Sequence, residues 1–432
     1  VRDEVEVLAL RAAGDGERAE GGPGLVVGAV APRPQTRVVA PGVTILLPIV
    51  LVEGTVNIEE RLKRYRAIED YRKRPLIVFA TSTRQGVRAQ MGGDAVREFI
   101  DQVNAISDGS QVDVLLHSYG GDALAAWKIM SVLRERFKHV GVLVPSAAFS
   151  AATVFALGAD EIVMHPHASL GPIDPQITVR LPDGSGRQFA YEDLGAFLRF
   201  LEHEVGLTEQ PHLAAVIDRL FGIVDPLIVG GAKRASDLSA AVGERLLALH
   251  MSDDRKAKQI AVNLNKSFFA HGDAVSRTRA RRLELKIKKD DKTLEQLLWE
   301  AFLGIEGHME LREPFQPLAL YLADPAGAES LEPAGPLKLP ANMPPQIAGK
   351  VWEAAANQAI GNQGKAPQVP YSYVTALIEG TRLASEFRSV GTISAARQPS
   401  GEVRISQTDV GKWTRVTVGS PAPGPVAAAP TA

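Results

Sequence analysis

Between residues 74 and 164, short apolar runs alternate with amphipathic stretches, and the alternation predicts strands and helices in turn. "RPLIVFATS" (74–82), "QVDVLLHS" (111–118), "HVGVLVP" (139–145) and "EIVM" (161–164) each read as a buried strand. The intervening "GDAVREFIDQVNAI" (93–106) and "ALAAWKIMSVLRERF" (123–137) read as helices. The second sets Ala126, Met130, Leu133 and Phe137 on one stripe. Repeats of this length favour parallel strands with right-handed crossovers, so the expected fold is an α/β parallel-sheet core of βαβ units. Residues 214–249 and 253–268 read as further helices. Residues 311–345 predict a proline-rich linker. Beyond it, 347–360 and 373–387 suggest two helices, and 402–407 and 413–418 two short strands, making a small C-terminal α+β extension over 346–418. The Gly-, Pro- and Ala-rich ends, 1–37 and 419–432, predict a flexible extension and a disordered tail, leaving 38–310 as the main domain.

Composition narrows the function classes. A length of 432 residues suggests about two domains, or one with extensions. A net charge of −2 gives no global field favouring nucleic acid or anionic lipid. The chain has no cysteine, which removes disulfides, thiolate metal sites and cysteine nucleophiles and fits a reducing compartment. The apolar stretch at 38–52 is broken by two prolines and a glycine and is shorter than the roughly 20 residues a bilayer span needs. It reads as a buried strand pair, with an interfacial segment as the alternative. The expectation is a cytoplasmic protein without stable membrane insertion.

Two features could carry chemistry. The strand 111–118 runs through Tyr119 into Gly120-Gly121 and then a helix, a junction whose backbone amides can point into the cleft beyond the strand ends. A simple tight turn would look the same. The next strand ends at Pro145 and leads through "SAAFS" (146–150) into another helix. A serine there lies where open α/β sheets place ligands, among small neighbours that admit a substrate backbone. Equally, Ser146, Ser150 and Thr153 would permit tight helix packing and nothing more.

The segments "LLHSYGGDALAAWKI" and "VPSAAFSAATVFALGADEIVMHPHASLGPIDPQ" resemble the serine dehydrogenase proteinase family, a soluble relative of signal peptide peptidase A in the Clp protease/crotonase superfamily. The resemblance is specific over roughly 74–177 and fainter to about 287. It implies that Ser150 is the nucleophile, and that Gly120, Gly121 and Ala151 supply oxyanion-hole amides. Tyr119 stands where that family usually has proline, and Ala152 where glycine commonly follows the serine. The histidine that serves as base in Clp-type relatives is missing, since Ile173 or Asp174 falls at its place. His165 and His167 come too early in the chain. The signal-peptide-peptidase relatives imply a lysine instead, kept neutral by burial. Lys233, with an apolar run before it and glycines beside it, is the candidate, ahead of Lys128 and Lys256. A solvated helix lysine is the competing description.

Asp174, between two prolines, reads as part of a rigid loop at the cleft or at an oligomer contact. Asp273 in "HGD" reads as a helix cap, without metal-ligand spacing. The basic run 277–289 lacks interleaved aromatics and reads as a solvated face. The expectation is thus a serine-type, ATP-independent endopeptidase with no metal or organic cofactor. It would act on peptides or unfolded protein as a homo-oligomer. A non-catalytic scaffold of the same fold remains as an alternative, as does an acyl-CoA-handling enzyme. The absence of a carboxylate near the start of the nucleophile helix argues against the latter.

Overall fold

The computed structural model describes residues 37–39, 58–107, 109–180, 186–266, 273–332, 366–397 and 402–416, with isolated positions between 343 and 351. After β1 (Arg37–Val39) come α1 (Ile58–Arg72), β2 (Leu76–Thr81), α2 (Ala95–Ala105), β3 (Gln111–His117), α3 (Ala123–Arg136) and β4 (His139–Val144). Next are the short β5 (Ala147–Ala148), α4 (Ala151–Leu157), β6 (Glu161–Met164), the short β7 (Ser169–Leu170), and a hairpin of β8 (Gln176–Arg180) and β9 (Gly186–Ala190). Helices α5 (Tyr191–Arg199), α6 (Gln210–Phe221), α7 (Pro226–Ala248) and α8 (Asp254–Lys266) follow, with a π-helical turn at Phe200–Glu204 after α5. Then come β10 (Val275–Ser276), α9 (Arg277–Arg282), α10 (Lys292–His308), α11 (Pro317–Ala323) and α12 (Pro325–Ser330). The long strands β11 (Val369–Gly380), β12 (Ala384–Arg397) and β13 (Val403–Arg415) complete the described chain.

The main sheet has the order β1-β13-β12-β11-β2-β3-β4-β6. Its β2-β3-β4-β6 half is parallel. Every residue of β2 is buried, as expected of a strand covered on both faces. Ile77, Phe79, Val114, Leu116 and Val142 face α2, α3, α4, α7 and α8. Leu76, Val78, Ala80, Leu115 and Leu143 face α1 and α10. The stripe Ala126, Met130, Leu133 and Phe137 lies wholly in the first of these layers, and Asp122 caps α3 by accepting from the amide of Leu124.

The other half of the sheet departs from expectation. Residues 373–387 form a hairpin, not a helix, and one continuous strand, Val403–Arg415, stands where two short ones were expected. The extension is β-rich and continues the main sheet, with β11 antiparallel to β2 in the register Ala376↔Thr81 to Gly380↔Ile77. Part of the expected linker, 317–330, is helical (α11 and α12), and Tyr321 is buried against β12 and β13. Residues 176–180 and 186–190 pair as antiparallel strands, ahead of α5 and α6. Residues 1–36 of the extension expected at 1–37, the stretch 40–52, most of the expected helix 347–360 and the tail 419–432 lie outside the described residues, while Arg37 begins β1.

The hairpin docks through buried charge. Arg61 on α1 donates to Glu379 through both Nε (3.1 Å) and Nη2 (2.5 Å), and Tyr65 donates its hydroxyl to the same carboxylate at 2.8 Å. Glu386 accepts from His308 (2.6 Å) and Arg388 (2.9 Å). Burial alone would raise the Glu386 carboxyl, but these partners bring it down to about 2. Gln102 of α2 reaches the carbonyls of Ile378 and Leu383. Removing one member of a buried pair strands the other. Glu379→Ala is therefore expected to destabilise the protein by roughly 3–5 kcal/mol in urea unfolding. Arg97→Ala, in an exposed pair, should stay within about 0.5 kcal/mol. A Glu379→Ala midpoint equal to wild type would show that the hairpin docks without this contact.

Candidate active site

The site forms at the carboxyl ends of β3 and β4, where two loops are stitched together by backbone. Ser118, just past β3, makes a parallel bridge with Ala148. Its amide donates to the carbonyl of Ala147, and its carbonyl accepts from the amide of Phe149, both at 2.9 Å. This stitch brings Gly120 against Ser150. A Cβ built on Gly120 would lie 2.6 Å from the Phe149 carbonyl oxygen, 2.7 Å from Ser150 Cβ and 2.9 Å from the Ala151 nitrogen. Gly120 also has φ +102°, so only glycine fits.

On its other side the pair is held by Met91. The Met91 amide donates to the Gly120 carbonyl (2.7 Å), and the Asp122 amide donates to the Met91 carbonyl (2.9 Å). In a parallel bridge of this pattern the middle residue offers its own N–H and C=O to the opposite edge. That residue is Gly121, whose N–H and C=O therefore point away from Met91.

Ser150 has φ +52° and ψ −121°, a combination rare for a residue with a side chain. Such backbone costs on the order of 1–3 kcal/mol and persists only when its surroundings impose it. Here Thr153 Oγ1 donates to the Ala148 carbonyl (2.7 Å) and accepts from the Gly171 amide (3.0 Å), locking the loop from below. Phe149 fills the space over Gly171, where a Cβ would come within 2.3 Å of its ring. The turn lies in Ser150 itself, so Ala152 needs no glycine. It is buried, and its amide donates to the Phe149 carbonyl at 3.0 Å. Ala151 is the first residue of α4, so its amide is one of those a helix start leaves without an intrahelical acceptor. Tyr119, 59% exposed, stands edge-on to Phe149 at the lip of the site.

The proposed base fits less well. Lys233 lies on α7, which runs beside α4. Leu246 neighbours Gly158, Gly243 neighbours Leu157, and Ser239 donates to the Ile173 carbonyl. Lys233 is six residues before Ser239, about 9 Å along the helix. Its ammonium is paired with Asp237 (2.5 Å to Oδ1), its side chain is 40% exposed, and that hydrogen bond raises its pKa. Expected to be desolvated and neutral, it is here a charged surface lysine. The apolar run that suggested burial is itself only partly buried, with Leu227 71% exposed and Val224, Ile228 and Val229 half-buried.

The other candidates lie elsewhere. His165 stacks on Trp299 of α10 and accepts at Nδ1 from the His167 amide, on the sheet face opposite α4. Lys256 pairs with Glu284. Asp174 is buried and accepts from Gln176, in a loop held by Leu264 and Ser239 between α7 and α8. Asp273 is not a cap. Ser276 caps α9, and Asp273 pairs with Arg279. Among the described residues no group of three His, Asp or Glu is placed to hold a metal. Sequence reasoning missed Ser118 and Thr81, whose hydroxyls bond each other beneath Gly120. A serine beside a glycine turn carries no signal of that contact.

Parallel strands β2, β3, β4 and β6, with helices on both faces and a β-rich C-terminal extension, make an α/β core of βαβ units. Residues 49–190 match the sequence profile of the ClpP-like SDH-type serine proteinases, and the chain contains a domain of that family. Two uncharacterized proteins of Methanocaldococcus jannaschii are similar. One is 33% identical over 129 residues, 28% of this chain and 44% of that protein. The other is 38% identical over 80 residues, 18% and 28% respectively. The chain thus spans less than half the length of these curated relatives. Among solved structures, a membrane-bound stomatin-specific protease is 14% identical, covering 52% of this chain and 84% of its own, with a TM-score of 0.31. ClpP1 from Listeria monocytogenes is 12% identical, covering 53% and 98%, with a TM-score of 0.27. A probable enoyl-CoA hydratase/isomerase from Mycobacterium abscessus is 15% identical, covering 68% and 94%, with a TM-score of 0.26. Among the described residues no helix is long and apolar enough to cross a membrane.

Gly120→Ala adds strain and a collision, so it should cost roughly 2–4 kcal/mol in urea unfolding. A neutral result would mean that the two loops do not meet as described. Beneath the site, His117 is buried against Phe302, contacts Thr83 at 3.2 Å through Nε2, and has its pKa lowered by burial to about 4. The unfolded imidazole takes up a proton near its ordinary 6.5, whereas the folded one resists until about 4. Its contribution to stability is therefore present above pH 6.5 and lost as pH falls toward 4. Unfolding free energies at pH 7 and 4.5 should differ less in His117→Gln than in wild type. Equal differences would remove this role.

Proposed function

We propose that the chain is a serine peptidase in which Ser150 Oγ attacks a peptide carbonyl. The Oγ–C bond forms, the carbonyl oxygen becomes an oxyanion, and the amides of Gly121 and Ala151 hold it. The C–N bond then breaks, the amine departs with the proton taken from Ser150, and water releases the acyl group. The observation that carries this reading is the strained Ser150 backbone, imposed directly against Gly120. Gly120 shapes the hole, but its own amide is engaged by Ser118, so the donors are narrowed to Gly121 and Ala151.

Lys233 serves as the base in this reading only after leaving Asp237, because an ammonium in an ion pair accepts no proton. That pairing favours a second reading, a non-catalytic scaffold in which Ser150 only shapes the turn. The substrate of the enzyme reading is a peptide or unfolded segment, cut without ATP, metal or organic cofactor by a cytoplasmic homo-oligomer. Exposed Phe197, Phe200, Phe221, Ile223 and Leu227 suit contact between copies.

A fluorophosphonate probe distinguishes the two readings. Wild type should be labelled and Ser150→Ala should not, with peptide hydrolysis lost in parallel. Equal labelling of both proteins would overturn the peptidase reading. Lys233→Ala should lower hydrolysis at least a hundredfold while the protein stays folded; full activity would remove Lys233 and leave Ser150 in place.

A further inference from the structure

We propose that Ser118, held by Thr81, is a positioning residue that orients the Gly120–Gly121 backbone toward Ser150. The inference rests on the peptidase reading above. The Ser118 side chain is buried, and its Oγ accepts from the Gly120 amide (3.0 Å) and from the Thr81 hydroxyl (2.7 Å). Thr81 is itself buried at the end of β2, in register with Ala376 of β11. Ser118 therefore touches both halves of the site. Its backbone stitches the Ser150 loop to β3, and its hydroxyl fixes the glycine pair.

The glycine pair needs such a restraint. Gly120 and Gly121 have φ +102° and +149°, and the peptide plane between Tyr119 and Gly120 has no side chain at Gly120 to limit its rotation. With the Gly120 N–H drawn inward to Ser118, the Met91 bridge sets the next plane and turns the Gly121 N–H outward. Without the hydroxyl, a buried Gly120 N–H loses its acceptor, and rotating that plane toward the cleft is the simplest way to satisfy it. That rotation would move the Gly121 donor off the position where charge develops. An oxyanion donor acts mainly on the chemical step, so its misalignment lowers kcat more than it raises KM.

The test uses the full chain with Ser118→Ala, Thr81→Val, Thr81→Ser and the Ser118→Ala/Thr81→Val double variant. The readouts are peptide kcat and KM, the rate of fluorophosphonate labelling, and the unfolding midpoint. Ser118→Ala should lower kcat roughly ten- to a hundredfold, with KM within about twofold and labelling slowed in parallel. Thr81→Val should give a smaller loss, Thr81→Ser should restore near-wild-type kcat, and the double variant should be no worse than Ser118→Ala alone. Undiminished kcat in Ser118→Ala overturns the positioning role while leaving the peptidase reading intact. So does Thr81→Ser behaving like Thr81→Val if Ser118→Ala fails to fold. Labelling of wild type that does not depend on Ser150 overturns the peptidase reading, and this inference with it.

Discussion

The site depends on one close approach. Gly120 and Ser150 come from different βα units, yet a single methyl group on Gly120 would collide with the serine, with the carbonyl before it and with the amide after it. Two loops can meet this closely only if their strands deliver them in fixed register. The parallel β3-β4 pair and the Ser118–Ala148 bridge do this. The strain at Ser150 is the other side of the same constraint. The backbone there is bent because the Gly120 turn, Thr153 and the Phe149–Gly171 packing leave it no other course. Both core layers under the sheet serve to hold this contact still.

The C-terminal extension belongs to that support. It hydrogen-bonds along β2, the strand that ends in Thr81, and the Ser82 amide donates to the carbonyl of Thr375. Its hairpin is fixed to α1 by Arg61, Tyr65 and Glu379, all buried. A chain ending before β11 would expose the β2 edge and leave Arg61 without its main partner. Edge exposure invites pairing with other chains, and a stranded buried guanidinium is costly. The two defects would arise together, because the same hairpin prevents both.

Much of the parallel half was legible in the sequence because its strands are covered on both faces and so appear as unbroken apolar runs. The helix stripe on α3 was legible from its 3.6-residue period, because only one face of that helix is buried. The hairpin at 373–387 was not. Glu379 looks like a surface carboxylate in an amphipathic helix, and only a partner 318 residues away explains its burial. Lys233 misled in the opposite direction. Apolar neighbours usually signal a desolvated amine, but around the start of α7 those neighbours are only half-buried or exposed, and Lys233 pairs with Asp237. The placement of Ser150 beside the glycine pair was readable as a motif. The bend at Ser150 and the hydroxyl beneath Gly120 were not, since backbone angles and a serine–threonine contact leave no pattern in residue types.

The bend at Ser150 also bears on how this position drifts over generations. Glycine adopts positive φ without steric penalty, so a glycine at 150 would release strain that serine must bear. Selection for a sturdier fold alone therefore pushes the position toward the residue with no side chain. A serine at 150 carries a backbone cost that glycine would not.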